Sequence, residues 1–208
     1  MCLAWRQIKA ERPLYHGNGS FTTKFTSTLA LHGLAIESVE EPDWAKNLSS
    51  EEVRLAVKHC CYVGDCSTDW FLHLVGTRMN DAANVIQTSV EFEYASEGAR
   101  SDLLVGSANG PTTLRSLVAS RVFRLLRRGD PTDETTLERA LHILAVSRNE
   151  MPAKALRLLV EARLEAHLHA LDERALMYYA LYLLLAPDDA IRQLCGLMAR
   201  NEQENETA

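Results

Sequence analysis

Leu114-Arg-Ser-Leu117-Val118-Ala-Ser-Arg-Val122-Phe-Arg-Leu125-Leu126 sets its apolar residues three and four apart, which is the spacing of one face of an α-helix and not the alternation of a strand. Gly110-Pro111 precedes it, placing proline at a first helical position where its missing N–H costs nothing, and Gly129-Asp-Pro131 stops it. The same texture continues to Arg200. Thr135 with Glu138 offers a capping box, with Thr132 or Asp133 as an earlier start, and Leu137, Leu141, Leu144 and Ala145 mark the face to be buried. After a break at Asn149 to Met151, Leu156, Leu159, Val160, Leu164 and Leu168 trace the next helix. Asp172 opens Ala175 to Leu185, which is apolar on every side and therefore predicts an interior helix covered by neighbours on both flanks. Pro187-Asp-Asp189 restarts with acidic residues that suit the positive end of a helix dipole, and Ile191, Leu194, Cys195, Leu197 and Met198 close the stack. A single helix then remains to cover Ala175 to Leu185, so the C-terminal edge either ends the stack or needs a partner. Residues 201–208 are polar and read as a disordered tail.

Working towards the N-terminus, Ser49-Ser-Glu-Glu52 is a second capping box, followed by Val53, Ala56, Val57 and Cys60 at helical spacing up to Gly64. Ser67, Thr68 or Asp69 caps a short helix bearing Trp70, Phe71, Leu74 and Val75 that closes at Gly76. Asn80-Asp81 caps a third, with Ala83, Val85, Ile86, Val90 and Phe92, interrupted at Gly98. The short apolar piece from Asp102 to Ser107 fits a helix or a turn. From Arg12 to Lys46 the composition changes to Pro13, Gly17, Gly19 and the Thr/Ser-rich run Phe21 to Leu29, which predicts loop with short extended pieces. Trp5 anchors a short helix or packed arm before it.

The predicted fold class is all-α. Helices of roughly 12 to 18 residues joined by short breaks place neighbours antiparallel, as in helix-turn-helix repeats of about 35 to 45 residues. No residue motif recurs at a fixed period, so an irregular HEAT-like helical repeat (an α-solenoid) and a compact helical bundle both fit. The expected organisation is an N-terminal arm and loop over 1–46, a helical repeat domain over 47–200 and the tail.

With 208 residues, 47% hydrophobic and 24% charged, the chain has enough apolar surface to bury a core. A net charge of −6 argues against nucleic acid or an anionic membrane, which require clustered cations. The run from Ala175 to Pro187 is short of the roughly 18 to 20 residues of a membrane span. Five cysteines, Cys2, Cys60, Cys61, Cys66 and Cys195, show no regular spacing and no secretory leader precedes them, which suits a reducing cytoplasm.

Three constellations are candidates for chemistry. His59, Cys61, Cys66 and His73, beside Cys60, are the nearest approach to a zinc site, but only Cys61 and Cys66 have the loop spacing of a ligand pair, and Cys60 falls on the apolar stripe. Glu165, His167 and His169 crowd a helix end, yet residues two apart face different ways on a helix, so capping is the simpler role. Tyr178, Tyr179 and Tyr182 fit a core better than a ligand slot. No phosphate loop is formed around Gly17 and Gly19, and no nucleophile elbow or dinucleotide fingerprint occurs. No cofactor is implied. Trp70, Phe71 and the basic group Arg124, Arg127 and Arg128 are the candidate partner-binding residues.

Pro42-Asp-Trp44, Leu48-Ser-Ser-Glu-Glu-Val53, Asp69-Trp-Phe71 with Leu74, Asn84-Val85, Glu91-Phe-Glu93, Leu103-Leu104, and Asp130-Pro131 followed by Thr136-Leu-Glu-Arg-Ala-Leu141 occur in an order that resembles the helical region of large bacterial signalling NTPases of the NACHT/STAND type, many of them antiphage-defence proteins. The resemblance covers about two thirds of the chain and implies a sensing or packing role, without the NTPase module itself and without any catalytic residue. The resulting expectation is a cytoplasmic, non-enzymatic interaction or sensor module with a protein partner or self-association. The rival expectation is a small metal-binding protein or enzyme built on His59, Cys61, Cys66 and His73.

Overall fold

Arg78 interrupts the longest helix of this protein and ties it to the segment before it. Its backbone leaves the helical region (φ −129°, ψ 38°). Its guanidinium Nη1 donates to the carbonyls of Leu48 at 2.5 Å and Ala45 at 3.2 Å, while Asp81 holds the other side of the group at 2.8 Å. These carbonyls belong to the end of a short helix whose last acceptors would otherwise lack donors, so the kink and the cap are one arrangement. The computed structural model in which this is seen describes residues 4–12, 14–15, 21–22, 25–63, 66–96, 102–168 and 172–206. Cys2, Gly17, Gly19, Gly64, Gly98 and His169 lie outside the described residues.

The chain is all-α, with one two-residue antiparallel ladder pairing Leu14–Tyr15 with Phe21–Thr22. It divides into two compact units, Met1–Ser147 and Arg148–Ala208. The first unit holds a 3-10 turn at Ala4–Gln7, then α1 (Phe25–Glu40), α2 (Trp44–Asn47), α3 (Ser50–Val63), α4 (Asp69–Ala95, kinked at Arg78), α5 (Asp102–Ala108), α6 (Thr112–Leu126) and α7 (Glu134–Val146). The second holds a 3-10 turn at Arg148–Glu150, α8 (Ala153–Leu168), α9 (Glu173–Leu185) and α10 (Pro187–Glu206).

Several starts follow local chemistry. The Ser49 amide donates to Glu52 Oε2 at 2.7 Å and the Glu52 amide to Ser49 Oγ at 3.2 Å, closing the predicted box before α3. Asp133, rather than Thr135, caps α7 by accepting from the Thr136 amide at 2.7 Å, and Asp172 caps α9 by accepting from the Ala175 amide at 3.2 Å. Pro111 is the residue before α6, with ψ at 151°, and not its first helical residue.

Three expectations are corrected. The segment from Arg12 to Lys46, expected as loop, contains α1, because Ser27, Ala30, Leu34 and Glu37 recur along one face and are buried against α3 and the N-terminal turn. Burial of that stripe outweighs the weak helix propensity of its Thr and Ser residues. The helix predicted to close at Gly76 runs two residues further: the break before Asn80 falls at Arg78, whose non-helical backbone separates the two helical pieces of α4. Finally, α10 extends to Glu206 through residues expected to form a tail.

The core of the first unit is built on Trp5, Trp44, Leu34, Phe71, Leu74, Ile86, Leu103, Leu104, Leu114, Leu126 and Leu137, each nearly inaccessible to solvent. In the second unit Leu156, Leu159, Val160 and Leu164 of α8 meet Ala175, Tyr178, Leu181 and Tyr182 of α9. Burying such side chains is worth about 1.5–3 kcal/mol each relative to exposure.

Candidate functional site

The aromatic pair proposed as a binding face lies inside the molecule. The first turn of α4 carries Trp70 and Phe71, whose rings meet edge to face at 6.1 Å, and Trp70 meets Trp44 of α2 in the same manner at 6.2 Å. Phe71 is fully buried and Trp70 is 7% exposed. Their role is to join α2 to α4, since aromatic edge contacts add to area burial; the expectation that they present a partner face is corrected. Arg124, Arg127 and Arg128 are exposed at the end of α6. The Arg128 amide donates to the Leu125 carbonyl at 2.8 Å. Nearby, Arg121 pairs with Glu91. Burial, and then the like charges of Arg124 and Arg128, draw the Arg121 guanidinium below its ordinary value. The cluster thus has cations at the negative end of a helix dipole.

The metal set does not assemble. His59 is buried, and its Nε2–H donates to the Ile8 carbonyl at 3.1 Å, which leaves Nδ1 buried without a hydrogen-bond partner. Burial holds the imidazole below its usual pKa, with the Ile8 bond acting in the opposite sense. His73 is exposed. Cys60 and Cys66 stand with sulfurs 3.8 Å apart. The Cys61 thiol is pushed well above its usual value by its bond to Cys66 and by burial, and the Cys66 thiol by its bond to Cys60 and by burial. Raised thiols are poor ligands and poor nucleophiles. Among the described residues no group of three or more His, Cys, Asp or Glu side chains is placed to hold a metal ion. Gly106 of α5 packs on this cluster: a Cβ there would come within 3.1 Å of the Cys66 backbone.

His167 stands in the last turn of α8. Its Nδ1 lies 2.8 Å from Asp172 Oδ2, and its ring stacks on Tyr178 at 5.6 Å. Glu165 is exposed.

The surface that stands out is one that sequence reasoning placed in the interior. On α9, Ala175, Tyr178, Leu181 and Tyr182 are buried, whereas Leu176 is 71% exposed and Leu184 56%. Ala180 and Leu183 are exposed as well, completing one outward stripe at positions 176, 180, 183 and 184. Ile191 and Leu194 of α10 are also exposed. The expectation that Ala175 to Leu185 is covered on all sides is therefore corrected. Within its unit α9 packs against α8 and α10, and these take up only one side of it.

A neighbouring groove of about 470 Å³ is lined by Ala153, Lys154, Arg157, Leu158, Glu161 and Leu185. Two of its polar groups, Arg157 and Glu161, are engaged: Arg157 bonds Glu161 at 2.7 Å and Asp189 at 2.7 Å, and the Tyr182 hydroxyl donates to Glu161 at 3.1 Å. The bond to Glu161 is the main cause that raises the Arg157 guanidinium, while burial is the main cause that raises the Tyr182 phenol. These groups lock α8, α9 and α10 together, and an anionic ligand would have to displace carboxylates to reach Arg157.

Comparison with known proteins returns no match: no family model, no curated protein and no solved structure is significantly similar to this chain. Among the described residues no helix is long and apolar enough to cross a membrane.

Proposed function

We propose that this chain is a non-enzymatic helical interaction or sensor module whose partner face is the outward side of α9 together with α10. The observation that carries this reading is the exposed stripe of Leu176, Leu183 and Leu184, with Ile191 and Leu194 exposed on the next helix. Contiguous apolar side chains left in water usually mark a binding surface, and a helical stripe of this spacing suits an amphipathic helix laid along it. Architecturally, the reading is an irregular HEAT-like repeat in which α9 and α10 form an edge, with a compact bundle as the alternative. The order of motifs from Pro42 to Leu141 further supports association with a bacterial NTPase of the NACHT/STAND type in the cytoplasm. On that view the partner is such an NTPase, and the chain contributes sensing or packing rather than catalysis.

The test is a comparison of the native chain with a Leu176→Asp/Leu184→Asp variant as bait in native lysate, followed by binding measured with the purified partner. A partner that is retained by the native chain and by Arg127→Ala, but lost with the double variant, supports the assignment. An interaction indifferent to the double variant overturns it. An NTPase encoded beside this reading frame and bound in the same assay supports the NTPase association.

A further inference from the structure

The helix that sequence reasoning missed carries a second, unused apolar face. Ser27, Ala30, Leu34 and Glu37 of α1 point into the protein. On the opposite side Phe25 is 74% exposed, Leu29 47%, Ile36 53% and Val39 82%, and His32 between them is exposed too. Positions 25, 29, 32, 36 and 39 step by four, three, four and three residues. That is the seam spacing of a coiled coil, in which one residue type per step enters a hole on the facing helix. The residues beside the seam are small, namely Thr26, Thr28, Gly33 and Ala35, and small neighbours permit close approach of a second helix.

We infer that this face pairs with the same face of a second copy of the chain, as an antiparallel α1–α1 contact centred on His32. A two-fold rotation there sets Phe25 against Val39 of the other copy and His32 against His32, as an isologous interface requires, and brings Leu29 and Ile36, three residues before the centre and four after it, to within one residue of each other. Charge selects the antiparallel sense. α1 has no acidic residue in its first turn and no basic residue in its last, so neither end of its dipole is compensated by its own helix. The exposed Glu40 and Glu41 follow the seam at its C-terminal end. Antiparallel pairing brings these carboxylates to the N-terminal, positive end of the partner helix, where anions are favoured. Parallel pairing would bring them against their own counterparts. A single helix of four turns covers less than the roughly 800 Å² per partner of a standard interface, so the dimer forms and dissociates with concentration.

This inference concerns a surface separate from the α9–α10 stripe, and the two fail independently. Sedimentation velocity over a wide concentration range is expected to show a monomer–dimer equilibrium for the native chain, and monomer only for Leu29→Glu/Ile36→Glu and for Val39→Glu. All three side chains are exposed, so circular dichroism is expected to show the fold intact. His32→Leu replaces a polar residue at the centre of the seam and is expected to tighten the dimer about tenfold or more. Orientation is read by oxidative cross-linking in a background with Cys2 and Cys195 replaced by Ser: an equimolar mixture of Phe25→Cys and Val39→Cys chains gives cross-linked dimer, and either alone does not. A native chain that stays monomeric, a dimer insensitive to the Glu variants, or cross-linking of Phe25→Cys with itself overturns the inference. A monomeric chain that still binds a partner through Leu176 and Leu184 removes the self-association and leaves the proposed function standing.

Discussion

The indole Nε1 of Trp5 donates to Oε2 of Glu37 at 2.7 Å in the interior of the first unit, where both residues are almost inaccessible. The same carboxylate accepts two bonds from Arg6, at 2.7 and 2.6 Å, and Arg6 also pairs with Glu52 of the α3 capping box. One buried acid thus fastens the N-terminal turn to α1, and through Arg6 to α3. Replacing Glu37 by Ala leaves the Trp5 N–H without an acceptor and Arg6 without its main partner. The expected loss is about 3 kcal/mol, measured by chemical denaturation, with Arg6→Ala costing less because that side chain is partly solvated.

Acid should weaken the fold in two stages. Burial keeps His59 below its usual 6.5, so its neutral form stabilises the fold fully above pH 6.5, and stability falls as the pH drops from there through the lowered value. Burial would raise the Glu37 carboxyl, but the hydrogen bonds from Arg6 and Trp5 prevail and hold it below 4.5. Its contribution is complete above pH 4.5 and is lost as the pH falls through the folded value. Denaturation midpoints followed from pH 8 to 3, with His59→Gln flattening only the upper stage, check both.

Thiol chemistry separates the cysteines by position. Cys60, Cys61 and Cys66 are buried, while Cys195 is exposed. In a Cys2→Ser background, the folded chain is expected to react with a thiol reagent at Cys195 alone, and at the other three only after denaturant is added. Rapid labelling of Cys66 in the folded state would contradict the packing described above.

Two glycine substitutions should act in opposite directions. A Cβ at Gly106 meets the Cys66 backbone at 3.1 Å, whereas nothing lies within 4 Å of one at Gly76. Gly106→Ala is expected to destabilise by about 1–3 kcal/mol through overpacking, and Gly76→Ala, inside α4, to stabilise by up to about 1 kcal/mol. Thermal unfolding of the two variants side by side reads the contrast.

Trp70→Ala is expected to cost about 3–5 kcal/mol, as for other large core aromatics. Arg127→Ala at the exposed end of α6 should change stability by less than about 0.5 kcal/mol. The comparison distinguishes a core role for Trp70 from the surface role suggested by its sequence context.

What could be read in advance was whatever local chemistry decides. The Ser49–Glu52 box, the Asp172 start and the apolar stripes of α6, α7 and α8 need only neighbours a few residues away, and each formed where the pattern placed it. Sites that depend on which side of a helix meets another were not legible. Trp70 and Phe71 look alike on a surface or in a core until α2 is laid across them. His59, Cys61, Cys66 and His73 look like a cluster until α3 and α4 turn His73 to solvent. The candidate surface on α9 was legible as an apolar helix, but its exposure depends on how much of α9 the helices α8 and α10 cover.

The amino-acid order alone therefore settles that this chain is helical and where most of its helices begin and stop, because hydrogen-bond capping and 3.6-residue periodicity are short-range. Tertiary packing decides which of two apolar faces goes inside. On α1 it buries Ala30 and Leu34 and leaves Ile36 and Val39 in water; on α9 it buries Tyr178 and Leu181 and leaves Leu176 and Leu184 outside. The physical reason is that hydrophobic burial is non-directional and proportional to area, so two comparable faces are distinguished only by the elements that arrive to cover one of them.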